Sequence, residues 1–447
     1  MGRWSNRGLT LGILVITFLG TSAVKAAPPP PTSSAPSPRA AVTALLSVAT
    51  DGTHGNADSF APELSADGST VAFVSLATNL AAPEPAQVAS VFVRDPRTGR
   101  TERVSDGVDG LAADGDSRNP SLSGDGLVVA FESAASNLVG GDTNGTSDVF
   151  VHDRVSGRTT RVSVDSGGAQ ADGPSGLDSA PALSADGQIV AFASRAGNLV
   201  TPGTDVPDRE DVFVYDRARK ETNRVSVGPG GVQPSGDSYS PALSADGRYV
   251  AFASEATNLV RGDTNGATDI FVHDRETGRT TRVTVASDGT QVNGDSFTPS
   301  ISGDGRFVAF TTDAGNVVAG DDNRASDVFV HDGQTGRTVL VSVASHGHPS
   351  ARGSFAPCLS ADGRTVAFVT DGPLVADDTN NSEDVYVADL ATGGLRRVSV
   401  ASDGTEGDGP SLGPALSGDG TAVAFESLAS NLVVADSNAA EDVFWRR

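Results

Sequence analysis

The chain is poor in the residues from which most sites are built. Its one cysteine, Cys358, excludes an internal disulfide framework and any cysteine-cluster zinc site. Its only lysines are Lys25 and Lys220, and six histidines are scattered along 447 residues. Basic side chains number 32 against 56 acidic ones, a formal charge of −24, so bulk charge does not attract nucleic acid or anionic lipid. Aromatics make up 5% of the chain, too few for a conventional aromatic-rich core unless they recur at fixed positions. The longest apolar run, Leu9 to Leu19, is shorter than the roughly 20 residues a membrane-spanning helix needs.

That run belongs to a leader pattern. Arg3 and Arg7 precede it, and Val24 and Ala26 put small residues before Ala27, so residues 1–26 read as a signal peptide cleaved before Ala27. No cysteine stands near the cleavage point, which excludes a lipoprotein anchor. Residues 27–41, APPPPTSSAPSPRAA, form a Pro/Ser/Ala-rich linker with nothing to pack. The expected location is secreted, extracellular or at the cell surface, with no membrane span after cleavage.

Glycine, by contrast, is plentiful, with 52 residues, and it recurs in register. The segment Pro-x-[Leu/Ile]-Ser-x-Asp-Gly begins at Pro62, Pro120, Pro181, Pro241, Pro299, Pro357 and Pro414, at intervals of 57 to 61 residues. A fixed period means stacked units that cannot bury their faces alone. Each unit carries four strand signals. A short run precedes the Asp-Gly turn. An alternating run such as Tyr249 to Ser254 follows it. The third is Asp-[Val/Ile]-[Phe/Tyr]-Val, as at Asp269 to Val272, and the fourth follows a second turn, as at Thr281 to Val285.

Four antiparallel strands in seven copies predict an all-β, seven-bladed β-propeller over residues 42–447. Phe73, Phe131, Phe192, Phe252, Phe310, Phe368 and Phe425 share one repeat position. Phe92, Phe150, Phe213, Phe271, Phe329, Tyr386 and Phe444 share another. Both sets are expected in the core. The last copy stops after its third strand, and the run Leu45 to Val48 is an orphan fourth strand. The N-terminal strand is therefore expected to complete the last blade and close the ring, removing exposed sheet edges.

The repeat Pro-x-Leu-Ser-x-Asp-Gly-x-x-Val-Ala-Phe followed by Asp-Val-Phe-Val-x-Asp resembles the WD-like repeat of TolB-type β-propellers across 43–447. The resemblance implies the propeller and little about function. The TolB protein has six blades and an α/β domain ahead of them. Here there are seven copies, and residues 27–41 are too short for such a domain.

Two sets of residues are candidate sites, both on the face carrying the longer loops. Asp-x-Asn-x-x-x-Asp occurs as Asp142/Asn144/Asp148, Asp263/Asn265/Asp269, Asp321/Asn323/Asp327, Asp378/Asn380/Asp384 and Asp436/Asn438/Asp442. Spaced oxygen ligands of this kind suit calcium, and the same residues also suit Asx-turns that start the third strand. Phe60, Tyr239, Phe297 and Phe355 stand just ahead of the inner strands. There they either stack on a sugar or peptide or pack between blades. Gly409-Pro410-Ser411-Leu412-Gly413 imitates a nucleophile elbow but belongs to the repeat. With no catalytic constellation in view, the expectation is a monomeric, non-enzymatic binding scaffold for a protein or cell-wall glycan. It needs no cofactor other than possible calcium. The alternative is an extracellular polysaccharide-active enzyme of lyase type.

Overall fold

A computed structural model describes residues 41–81, 88–177, 179–201, 209–344, 347–434, 436 and 438–447. The leader and all of the linker up to residue 40 lie outside the described residues. The chain forms seven four-stranded antiparallel sheets, each a blade of the propeller. The first blade is Ser59–Leu64, Val71–Ser75, Ser90–Asp95 and Arg100–Arg103, and the same order repeats around the ring. First strands touch the first strands of the blades on either side, so they surround the axis and fourth strands lie outermost. Among the described residues the only helix is a single 3-10 turn at Val108–Gly110, and none is long and apolar enough to cross a membrane.

Closure is as expected in kind and shifted in register. The N-terminal strand spans Thr43–Leu45 and pairs antiparallel with Asp442–Arg446, with Leu45 opposite Phe444. Leu46 to Val48, read from sequence as the strand, instead form a strap running on beyond it, and Val48 bridges back to His54. The other fourth strands show the same shift: the fourth blade's is Arg279–Arg282, not Thr281 to Val285. The cause is the Ser or Thr in the strap. In every blade but the first, where Ser90 replaces the aspartate, its hydroxyl turns inward to donate to the buried third-strand aspartate, as Ser163 does to Asp148 and Ser47 to Asp442, each at 2.5 Å.

The two aromatic positions form the core. In every blade the two rings stack with centroids 5.8 to 6.2 Å apart. One face of each blade presents this pair, and the opposite face presents small residues. Phe192 and Phe213 of the third blade pack on Ala130, Val149 and Val151 of the second. Each buried ring contributes about 2–3 kcal/mol. Repetition thus lets a chain with few aromatics build a continuous core.

A second circle runs through the Asp-Gly turns. In the first, Ser65 Oγ donates to Asp67 at 2.8 Å, the Ser69 and Thr70 amides bond to Asp67 and Ser65, and Gly68 takes φ 67°. The turn's outward amide bonds to the next blade: Ala66 to the Gly124 carbonyl, Gly124 to Ala185, Ala185 to Ala245, Ala245 to Gly303 and Gly303 to Ala361. Asp362 reaches Gly418, and Gly418 returns to Ala66 at 2.8 Å, completing the circle.

Candidate active site at the channel mouth

Each first strand carries an irregularity before its proline. Register shifts between Phe60 and Glu63, and likewise in the other blades with six-residue first strands. The bulged residue sits in the left-handed region: Ala61, Asn119, Ser240, Thr298, Ala356 and Gly413 all have φ between 47° and 53°. Only the last is glycine, so the others hold a conformation costing about 1–2 kcal/mol each.

The bulge sets the preceding side chain at the loop-side mouth of the channel. Phe60, Arg118, Tyr239, Phe297, Phe355 and Leu412 occupy this position, each half-buried. The four aromatics named from sequence are thus brought onto one ring, together with a cation. Arg118 lies 5.8 Å from the centre of the Phe60 ring and bonds to Asp116 at 2.8 Å.

Carboxylates cluster at this mouth where the seventh blade meets the first. Glu426 Oε2 accepts the amide of the strained Ala61 at 2.6 Å. Asp58 accepts the amide of Glu441 at 3.1 Å, and the Glu441 carbonyl accepts Ser59. Burial, with the charges of Glu426 and Asp58 adding, pushes the Glu441 carboxyl up to about 7. Burial also raises Glu426, against the Ala61 amide bond that lowers it. Deeper in the channel Glu63 is pushed up to about 7 by burial. Burial, with the Glu63 charge adding, pushes the Cys358 thiol up to about 12, so it stays protonated and is a poor nucleophile. Ser411 is buried and bonded to Ser427 at 2.9 Å, so it is no nucleophile elbow.

Sequence reasoning missed Glu426 and Glu441. Glutamate recurs at both repeat positions, as Glu132 at that of Glu426 and as Glu210 and Glu383 at that of Glu441, and only the junction of the seventh and first blades brings one of each together with Asp58.

The five Asp/Asn loops form the Asx-turn arrangement that their spacing also allows. Each Asn side chain turns its amide nitrogen, not its oxygen, toward the third-strand aspartate and toward a carbonyl of the following inter-blade segment. Asn144 donates to Asp148 at 3.2 Å and to the Ala171 carbonyl at 3.1 Å. Asn265 donates to Asp269 and to Val292, both at 3.2 Å. Asn323 donates to Asp327 at 2.6 Å and to Ser350 at 2.8 Å. Asn380 donates to Asp384 at 3.1 Å and to Gly407 at 3.0 Å. Asn438 donates to Asp442 at 2.8 Å and to Gly55 at 3.0 Å. The Asn oxygen is occupied as well. Those of Asn144, Asn265, Asn323, Asn380 and Asn438 accept the amides of Thr146, Ala267, Ala325, Ser382 and Ala440, two residues on. In this arrangement the asparagines form turns, and the aspartates of the motif offer the carboxylate oxygens.

Three of these loops already hold a cation of the chain's own. Arg161 lies 3.4 Å from both Asp142 and Asp148, and Arg282 lies 3.3 Å from Asp263 and 3.7 Å from Asp269. Arg397 lies 3.6 Å from Asp378 and 3.5 Å from Asp384, and also bonds Glu406.

Among the described residues, Asp378, Asp384 and Glu406 offer oxygens within 4.8 Å of one another, close enough to hold one metal ion. The Arg397 guanidinium stands among them and Ser399 and Asn380 also donate to Asp384, so this set does not fit a metal. In the fifth and seventh blades the arginine position holds Leu340 and Leu45. There Asp321, pushed up to about 6 by burial and by Asp327 and Asp322, and Asp436 lack such a guanidinium.

No family model matches the chain, and no curated protein matches it. Solved structures do. An oligogalacturonate lyase in complex with manganese aligns at 12% identity over 90% of this chain and 92% of that one, TM-score 0.55. The β-propeller domain of the Trilobed protease from Pyrococcus furiosus aligns at 11% identity over 88% and 97%, TM-score 0.52. TolB from Acinetobacter baumannii aligns at 15% identity over 76% of this chain and 62% of that one, TM-score 0.41. The resemblance is therefore to the propeller fold.

The expectation of a non-enzymatic protein is corrected. The fold is that of a lyase and of a protease's propeller domain, so it is no mark of a passive scaffold. The missing His and Lys set, which motivated that expectation, left out acid–base chemistry by carboxylates.

Proposed function

We propose that the chain is an extracellular polysaccharide-active enzyme of lyase type, working at the loop-side mouth of the channel on a cell-wall or other extracellular glycan. The observation that supports this most is the Glu426/Glu441 pair of raised carboxyls beside the ring of Phe60, Arg118, Tyr239, Phe297 and Phe355. Aromatic faces stack on sugar rings, and a pair of carboxyls that do not ionise together supplies both acid and base. In an elimination the Glu426 carboxylate takes the proton from the carbon beside a uronate carboxyl. The electron pair forms the carbon–carbon double bond, the glycosidic C–O bond breaks, and the leaving oxygen takes the proton of Glu441. Arg118 supplies a cation for the uronate carboxylate. The oligogalacturonate lyase of the same fold is compatible with this reading. The leader read at residues 1–26 takes the enzyme to such a substrate.

Incubation with polyuronates is expected to release unsaturated oligosaccharides, followed by their ultraviolet absorbance. Because Glu441 must carry a proton, the rate is expected to fall as pH rises above about 7. Glu441→Gln is expected to lower turnover by about 100-fold or more while sugar binding persists. Release of saturated products, or full activity in Glu441→Gln, counts against elimination by this pair.

The aspartates of the fifth and seventh blades are the ones proposed to take calcium, because leucine replaces the internal cation there. Calcium is expected to raise the melting temperature, and Leu340→Arg to remove the fifth blade's share of that rise. Identical melting in calcium and in chelator removes the reading.

A further inference from the structure

Four blade junctions are sealed on the outer side of the ring in one repeated way. A fourth-strand threonine turns its amide N–H and its carbonyl away from its own blade, and one hydroxyl of the preceding blade's strap accepts from the first and donates to the second. Thr50 does so on Thr101 at 3.0 and 3.2 Å, and Ser166 on Thr222 at 3.0 and 3.4 Å. Ser287 does so on Thr338 at 3.0 and 3.1 Å, and Ser402 on Thr43 at 2.9 and 3.3 Å. Two residues earlier in the same strap, a valine carbonyl accepts the threonine's own hydroxyl. Val48 takes Thr101, Val285 takes Thr338 and Val400 takes Thr43, each at 2.6 Å, and Val164 takes Thr222. All four threonines are buried.

The junction of the first and second blades keeps the threonine and loses the seal. Thr159 faces His152 as Thr280 faces His273 and Thr338 faces His331. The strap ahead of it, however, carries Asp106 and Val108 where the others carry the valine and the Ser or Thr. These residues turn the strap aside. Asp106 pairs with Arg103, Val108 donates its amide to the Asn137 carbonyl at 2.9 Å, and the chain closes into the 3-10 turn Val108–Gly110. Among the described residues no strap group reaches the Thr159 amide or carbonyl, and its hydroxyl keeps only Nδ1 of His152, at 3.0 Å. The fourth blade loses half as much: Pro229 replaces the Ser or Thr, and Val227 still takes Thr280 at 2.8 Å. Thr159 is left half-buried beside a cleft of about 790 Å³, walled by Asp106, Val108, Leu138, His152 and Arg161. Charge does not decide what enters. Arg103 holds Asp106, Asp142 and Asp148 hold Arg161, and the rim residues Asp109 and Arg158 are opposite in sign.

We propose that this cleft takes from another polypeptide what the other straps supply from within: an uncharged, extended segment in which one carbonyl accepts the Thr159 hydroxyl and a Ser or Thr two residues on bridges the Thr159 amide and carbonyl. The four intact seals set the chemistry of the occupant, because the cleft continues the same ring of strap-on-strand interfaces. Main-chain bonds to the open edge of Arg158–Arg161 give affinity, and the hydroxyl gives selectivity. The segment's apolar side chains meet Leu138 and Val108, the latter 44% exposed. The site lies on the outer wall, apart from the channel mouth, and is independent of any reaction there.

The test is calorimetric titration of the mature chain with the acetylated, amidated peptide Val-Ser-Val-Ala-Ser, the sequence of residues 398–402. Saturable one-to-one binding is expected, with Val-Ser-Val-Ala-Ala at least about fivefold weaker for want of the hydroxyl. Maltotriose, which offers hydroxyls without a peptide backbone, is expected to bind at least about tenfold more weakly than the first peptide. Hydrogen exchange of the Thr159 amide should slow when that peptide binds. Thr159→Val preserves the shape of the strand and is expected to lower peptide affinity about tenfold. Should it misfold, Asp106→Val/Val108→Ser restores the strap residues of the sealed junctions, and it is expected to melt later than the natural chain and to exclude the peptide. No binding of Val-Ser-Val-Ala-Ser by the natural chain, equal binding of the alanine peptide or of maltotriose, unchanged exchange at Thr159, or unchanged affinity in a folded variant overturns the inference.

Discussion

Deletion of residues 42–49 is expected to abolish cooperative unfolding of the propeller. The segment supplies the outermost strand of the last blade, and its loss exposes an unpaired edge along Asp442–Arg446. It also removes Leu46, 1% exposed within the core cluster that joins the seventh blade to the first, and Ser47, whose hydroxyl donates to the fully buried Asp442 and accepts the Val443 amide. Leaving a buried carboxylate without its donor costs about 1–3 kcal/mol, and emptying a buried leucine site costs about 2–5 kcal/mol. The turn-to-turn circle through Gly418 and Ala66 does not depend on this strand. The deletion variant is therefore expected to keep β-rich circular dichroism while losing a sharp calorimetric transition. Leu46→Ala alone should shift the denaturant midpoint in proportion to about 2–5 kcal/mol. A deletion that melts as sharply and as late as the full chain would falsify the closure as the source of stability.

Why blade number, aromatic core and closure were legible in the sequence, and the mouth was not, follows from how each is encoded. Phe73 and Phe92 announce themselves because the period repeats them. A position kept aromatic in every copy is under the same packing demand in every blade. The bulge at Ala61 hides, because alanine, asparagine, serine and threonine at φ near 50° carry no sign of it, and only Gly413 hints at the backbone. Glu426 and Glu441 stay hidden because glutamate also stands at the same repeat positions as Glu132, Glu210 and Glu383, so the sequence does not single them out. The Asp/Asn loops show a different kind of hidden information. Asp142, Asn144 and Asp148 look like ligands along the chain. In the fold Asn144 spends its amide on Asp148 and its oxygen on the Thr146 amide. Arg161, 13 residues after Asp148, is folded back between the two aspartates by the pairing of third and fourth strands.

Arg397→Leu is expected to cost about 3–5 kcal/mol, because it strands a buried carboxylate cluster. The guanidinium-bearing side chain is 4% exposed, and its partners Asp384 and Asp378 are 0% and 5% exposed. Asp384 is already pushed up to about 6 by burial, with Arg397 as one of the influences pulling it down. Without Arg397 its folded value rises further, while its unfolded value stays in the ordinary carboxylate range. The folded chain then holds a proton that the unfolded chain has shed. The variant's stability is present below the unfolded value and is lost as pH rises through the folded one. Melting of Arg397→Leu should therefore fall between pH 5 and pH 8 more steeply than that of the natural chain. The fifth blade shows that leucine is tolerated at this position, since Leu340 stands beside Asp321 and Asp327. Calcium should accordingly recover part of the loss in the variant. A change below about 1 kcal/mol with no added pH dependence would mean that the arginine is a surface ion pair of little consequence. In that case the Asp/Asn loops would hold their shape through their Asx-turn bonds alone.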